Sequence, residues 1–170
     1  ARRDGGMMHS LDRPPLFLID TNVWMNYFLR EDPTFEECKQ LFQRAVEEDQ
    51  PLLVSPATLK DLFYLIPRRF RRLDAIDQKS STSYTPAAWA CVEFILEIAT
   101  PSPLSIAECT MARMLRNQFG DFEDNLILAT AESARADYIV TYDEGLIATF
   151  PEACIKPERA LELMTFRTAP

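Results

Sequence analysis

Short apolar runs alternate with apolar stripes at spacings of three and four along this chain. Leu16 to Ile19 form four consecutive apolar residues, the pattern of a short buried strand, and polar Asp20, Thr21 and Asn22 precede a further apolar run of helical character. Asp32-Pro33 reads as an N-cap followed by Pro at the first helical position. Phe35, Cys38, Leu41, Phe42, Ala45 and Val46 then form an amphipathic stripe that Asp49-Gln50-Pro51 ends. PLLVS, 51–55, predicts a second buried strand. Ser55-Pro56 opens a helix that runs to about Ile66, where Pro67 intervenes. The polar stretch 74–86, DAIDQKSSTSYTP, predicts a loop. Trp89, Val92, Phe94, Ile95 and Ile98 predict a helix that ends before Pro101 and Pro103. Further helices are expected from Ile106 to Asn117, stopped by Gly120, and over 121–135, with a strand over 137–142. ACIKPERALEL closes the pattern as a short strand and a helix. Such alternation predicts an α/β fold, a parallel sheet with helices on both faces. Ligands in such sheets bind beyond the carboxyl ends of the strands.

Three of the predicted elements place carboxylates where that rule looks for them. Asp20 ends the first strand, and in DYIVTYDEGL a buried strand runs through Thr141 to Asp143. In a parallel sheet Asp20 and Asp143 share one edge. In DFEDNLILATAESA, Asp124 shares a helical face with Ile127, Leu128 and Ala131, the spacing of a core-facing stripe. A carboxylate there needs a partner such as a cation. Asp121, three residues earlier, leans to the same side. Helix capping is the simpler account of Asp20, because side-chain oxygens of Asp accept the free N–H groups of a first turn, and decoration of the positive helix N-terminus is the simpler account of Asp121 and Asp124. Carboxylates within about 4–6 Å of one another cannot all ionise without compensation. Mg²⁺ or Mn²⁺, hard cations that prefer oxygen ligands, would supply it.

Composition narrows the chemistry. The 170 residues fit one domain, expected over 15–170 after a flexible leader at 1–14. The leader lacks the apolar core of a secretory signal, and no apolar stretch reaches the roughly 18 residues of a membrane helix. Cys38, Cys91, Cys109 and Cys154 form no C-x-x-C pair and read as reduced, mostly buried thiols of a cytoplasmic protein. His9 is the one histidine and lies in the leader, so Ser-His-Asp and Cys-His catalysis and a His-rich zinc site are disfavoured. A formal charge of −8, from 18 basic and 26 acidic residues, argues against broad attraction to nucleic acid. PRRFRRLD, 67–74, is the exception, with Arg68, Arg69, Arg71 and Arg72 in five positions. It reads as a solvated helix end, as a phosphate-gripping edge with Phe70 available to stack on a base, or as a dock for an acidic partner segment. Trp24, Tyr84 and Trp89 read as core or loop packing.

IDTNVW, SPATLKDLFYLI, DFEDNLILATA and ADYIVTYDEGL together resemble the four signature segments of PIN domains, which include the VapC-type toxins of toxin–antitoxin pairs. The resemblance runs from about Leu16 to Leu163, and CIKPERAL is similar to the family's closing strand and helix. It implies a three-layer α/β/α sandwich with a central, mostly parallel sheet. It also implies an acidic cluster that binds Mg²⁺ or Mn²⁺ and cleaves single-stranded RNA, with an antitoxin and a homodimer as associated assemblies. Carried over by residue, it makes Asp20, Asp124 and Asp143 metal-binding acids. Asp61 stands in the place of a family Glu as a fourth catalytic acid. Asn22, Thr141 and Asp121 orient ligands or waters. The helical wheel sets Asp61 nearly opposite Leu59, Leu62, Phe63 and Ile66, which on periodicity alone makes it a solvated surface residue.

Two rival readings stand beside that one. The first is a binding module for nucleic acid or protein with a weakened acidic cluster. The second is phosphoryl chemistry at a strand-end aspartate. It is disfavoured by Asn22 where a phosphatase needs a second Asp and by the poor placement of Lys156 beside Pro157.

Overall fold

Strand β1 (Phe17–Ile19) is buried on both sides, and its side chains divide between two cores. Successive residues of a strand point to opposite faces. Phe17 and Ile19 enter one apolar cluster and Leu18 another. In the computed structural model residues 13–30, 33–76 and 83–165 are described. Along them β1 leads into α1 (Thr21–Leu29) and α2 (Phe35–Glu47), and β2 (Leu52–Val54) leads into α3 (Pro56–Ile76) and α4 (Thr85–Ile98). Strand β3 (Thr100–Pro101) precedes α5 (Ile106–Leu115) and α6 (Phe122–Ala134). Strand β4 (Tyr138–Val140) precedes α7 (Glu144–Thr149), and β5 (Cys154–Ile155) precedes α8 (Pro157–Thr165).

The five strands form one parallel sheet in the order β3-β2-β1-β4-β5. Helices cover both faces, as the alternation of strand and helix patterns predicts. One core gathers Phe17, Ile19, Val54 and Val140 under Trp24 of α1, Leu41 and Phe42 of α2, Leu62 and Ile66 of α3, Ile95 of α4 and Met164 of α8. The other sets Leu18, Leu53 and Ile139 against Ile127 and Ala131 of α6 and Leu146 of α7. Helix α5 packs on α6 through Ala112, Leu126 and Ala129. The chain leaves β1 toward β2 on one side and reaches β4 on the other, so the order reverses between β1 and β4. Crevices open at such reversals, outside the carboxyl ends of the strands.

Local structure departs from the sequence pattern at several points. Helix α2 begins at Phe35 with Thr34 as its cap. Asp32, the expected cap, lies outside the described residues. Helix α3 does not stop at Pro67 but runs on to Ile76. A proline costs about 3 kcal/mol in a helix interior. The apolar positions Leu59, Leu62, Ile66 and Phe70 continue across it and pack into the main core, which offsets the lost hydrogen bond. The loop expected over 74–86 is therefore shorter, since α3 takes 74–76 and α4 starts at Thr85. The Pro101 region adds an edge strand, β3, beside β2, the position in a sheet that tolerates proline. Helix α7, absent from the periodicity, forms directly after Asp143.

The four cysteines form no disulfide, with Cys38 and Cys154 buried, Cys91 half-buried and Cys109 exposed. The described chain begins at Arg13, whose guanidinium pairs with Asp137 at 2.9 Å. Among the described residues no helix is long and apolar enough to cross a membrane.

Phe42 is 2 % exposed and stacks on Trp24 with ring centroids 4.2 Å apart. Phe42→Ala should cost about 3–5 kcal/mol in a urea melt. Ile106→Ala, at a position 84 % exposed, should change stability by less than about 0.5 kcal/mol.

Candidate metal centre and its cleft

Asp20 ends β1 and caps α1, so both accounts of its position hold at once. One carboxylate oxygen, Oδ1, accepts the Thr21 amide at 2.6 Å. The other, Oδ2, accepts Nδ2 of Asn22 at 2.7 Å and Oγ1 of Thr141 at 2.7 Å. Thr141 is fully buried, and its hydroxyl also accepts Nδ2 of Asn22 at 3.0 Å and the Asp143 amide at 3.0 Å. Oδ1 of Asn22 in turn accepts the Tyr142 amide at 3.1 Å. Asn22 and Thr141 thereby brace the segment after β1 against the segment after β4. Burial holds the Asp20 carboxyl above its ordinary range. The hydrogen bonds from Thr141, Thr21 and Asn22 pull the other way, and the charge of Asp143 adds to the rise.

Asp143 repeats the arrangement at the end of β4, where its Oδ1 accepts the Leu146 amide at 2.8 Å and caps α7. Gly145 keeps that oxygen uncrowded, because a Cβ would stand 3.1 Å from it. Asp121 caps α6, accepting the amides of Glu123 at 2.8 Å and Asp124 at 3.3 Å. Asp124 caps nothing. It is half-buried on α6, and its carboxyl is pushed up to about 6 by burial and then by the charges of Asp121, Asp143 and Asp20. The structure thus brings Asp20, Asp124 and Asp143 within electrostatic reach of one another, as their places in the sequence predict. Cys154 of β5 feels the same three charges. Burial first, then those charges, push its thiol up to about 12, which leaves it protonated and inert.

A cleft of about 500 Å³ opens beside these groups, between α1, α3 and α6. Asp20, Asn22, Thr58, Asp61 and Asp124 line it, while Asp143 stands beside it. Oγ1 of Thr21 and Oγ1 of Thr58, 3.1 Å apart, close its floor. Asp61 points into the cleft, consistent with a wheel position away from the core, and forms an ion pair with Lys60 at 2.6 Å. Of the four arginines only Arg69 lines the cleft. Arg68, Arg71 and Arg72 are exposed in the body of α3, not at its end. Phe70 is not available for stacking: it is half-buried against Tyr84, with centroids 5.6 Å apart. Trp89, expected in packing, is instead 55 % exposed.

The sequence pattern missed Glu123. It lines the cleft and meets Asp61 across α3 and α6. The hydrogen bond its protonated form donates to Asp61, burial and the Asp61 charge push its carboxyl up to about 7. Its one signal was adjacency to Asp124, which says nothing about a partner on a distant helix.

A cation fits the donor chemistry of this site: oxygen only, and carboxylates that raise one another's protonation. Among the described residues no group of three or more His, Cys, Asp or Glu side chains already forms a cage.

Asp124 and Glu123 release their protons at higher pH in the folded chain than in the unfolded one. The folded state therefore holds more protons between about pH 4 and 7, and stability should fall as pH rises through that window. Thermal melts in chelator should show this slope. Asp124→Asn should flatten it below about pH 6 and melt above the parent at pH 7, whereas a parent whose melting temperature rises steadily across the window would contradict it.

A family model described as PIN domain matches residues 17–145. Among solved structures the fold is similar to VapBC2 from Rickettsia felis bound to a DNA fragment from their promoter. The TM-score is 0.57 at 15 % identity, over 83 % of this chain and 98 % of that one. It is similar to VapC20 of Mycobacterium tuberculosis, a Sarcin-Ricin loop cleaving toxin, with TM-score 0.58 at 16 % identity over 78 % and 93 %. It is similar also to VapBC-1 from nontypeable Haemophilus influenzae, with TM-score 0.56 at 15 % identity over 84 % and 98 %. At these identities the likeness is one of fold. No curated protein sequence matches.

Proposed function

The chain belongs to the PIN domain family, and on that footing we propose that it is a divalent-metal-dependent endoribonuclease that cuts single-stranded RNA, the toxin of a toxin–antitoxin pair. The observation that carries this reading is the convergence of the Asp20, Asp124 and Asp143 carboxylates beyond the carboxyl ends of β1 and β4, beside one cleft. Fold likeness to a Sarcin-Ricin loop cleaving toxin supports RNA as the substrate, and likeness to VapBC2 and VapBC-1 supports an antitoxin partner.

Asp20, Asp124 and Asp143 would hold Mg²⁺ or Mn²⁺, with Asp61 assisting. When bound, the ion supplies an activated water and offsets charge on the phosphodiester. The chain's own groups do the rest. Asn22 and Thr141 fix the rotamer of Asp20, so that its second oxygen is already aimed before any ligand arrives. Asp121 positions the first turn of α6, and with it Asp124. The Asp61–Glu123 carboxyl pair holds a proton at the far wall of the cleft, and Arg69 offers a guanidinium to a phosphate there.

A second reading, a binding module without activity, draws on the engagement of Asp61 by Lys60 and Glu123. Two measurements separate them. Calorimetry with Mn²⁺ should show micromolar-to-millimolar binding that Asp124→Asn removes. Asp20→Asn and Asp124→Asn should each abolish RNA cleavage with the circular dichroism spectrum unchanged. Cleavage that survives both substitutions sinks the assignment, and absence of Mn²⁺ binding in the folded parent favours the binding module. Thr141→Val, which loses the hydroxyl that braces Asp20, should cost about 10- to 100-fold in metal affinity.

A further inference from the structure

Helix α3 carries a second face beside the one that lines the cleft. Lys60, Tyr64, Arg68 and Arg72 recur every four residues along it, and all four are exposed. Tyr64 is 68 % exposed, so core packing does not account for it. Phe63 supports its ring from the side in an edge-to-face contact at 5.5 Å and meets Trp89 of α4 the same way at 5.1 Å. The result is a braced aromatic ledge with a cation one helical turn away on each side.

Lys60 and Arg68 stand about 12 Å apart along the helix axis at 1.5 Å per residue, which leaves room over the ring for one base. Lys60 also pairs with cleft-lining Asp61, and the next face holds Leu65 and Arg69 on the cleft wall. Ledge and cleft therefore share one helix. Five of the 18 basic residues of a chain with net charge −8 lie on it: Lys60, Arg68, Arg69, Arg71 and Arg72. Among the described residues the four arginines make no ion pair.

We propose that Tyr64, between Lys60 and Arg68, is a stacking ledge for one unpaired base of a single-stranded RNA that enters the cleft. The proposal rests on the ribonuclease reading and deepens it. Aromatic rings take any base on their π-face while flanking cations hold the backbone, and a base still paired in a duplex does not present that face. A second copy of the chain is a poor occupant, because a two-fold contact centred on Tyr64 would set this basic row against itself.

The test is fluorescence anisotropy of the full chain with a labelled oligouridylate of about ten nucleotides, in chelator so that binding is separated from cleavage. Tyr64→Ala should weaken binding about five- to a hundredfold with its salt dependence unchanged. Tyr64→Phe, which keeps the ring, should stay within about twofold. Arg68→Gln should instead lower the slope of log affinity against log salt by about 0.7. Circular dichroism of each variant checks the fold. Manganese-dependent cleavage by the parent is measured in parallel. If the parent cleaves and Tyr64→Ala neither binds more weakly nor raises KM, the ledge is wrong and the ribonuclease reading stands. If the parent neither binds nor cleaves, both fall. A change in sedimentation on Tyr64→Ala with RNA affinity intact would make this face an interface between copies. Parent binding to polyglutamate in preference to oligouridylate, lost in Tyr64→Ala, would make it a dock for an acidic protein. Either result overturns the proposal.

Discussion

The burial of one carboxylate organises this molecule. Asp20 sits at the end of a strand with no exposed face, and a charge there is costly unless it is hydrogen-bonded. The structure meets the cost with three donors drawn from two separate segments. Thr21 and Asn22 come from the chain directly after Asp20, whereas Thr141 comes from the end of β4, a distant part of the sequence. The register between β1 and β4, which pairs Ile19 with Val140, brings that hydroxyl into place. Sheet pairing, helix start and site geometry are thus set by the same few bonds. Loss of the Asn22 or Thr141 donor leaves Oδ2 with one partner in place of two and costs about the net worth of a hydrogen bond to a charged group.

Electrostatic tension follows from this arrangement. Three helices begin at the same edge of the sheet, each capped by an aspartate: Asp20, Asp121 and Asp143. Each cap is favourable by itself, since helix N-termini attract negative charge. Their convergence is unfavourable, and the Asp124 carboxyl, raised first by burial, is raised further by the charges of Asp121, Asp143 and Asp20.

Much of the architecture was legible in the sequence because the strands are short, wholly apolar and followed by polar breaks. Periodicity found β1, β2 and β4, and it placed Asp124 on an apolar face. It failed where tertiary contacts decided. Nothing local says that α3 continues through Pro67; Ile66 and Phe70 hold it there by packing on elements far away in sequence. The two residues of β3 are too few for a pattern and exist because Leu53 and Val54 offer them an edge. The same limit applied at the site. Asp20, Asp124 and Asp143 could be aligned by topology alone. The Asp61–Glu123 contact joins two helices whose packing no wheel predicts, and extension of α3 moved the exposed aromatic role from Phe70 to Tyr64 and Trp89.

The double use of the capping aspartates bears on how related chains should be read. Asp20 and Asp143 each begin a helix, so a descendant that had lost all chemistry would still be under pressure to keep them for folding. Their presence is weak testimony to activity. Asp124 performs no such structural service and carries a standing penalty of repulsion. A chain that retains Asp at that position retains it against burial and repulsion, so folding explains its retention less readily than that of Asp20 or Asp143.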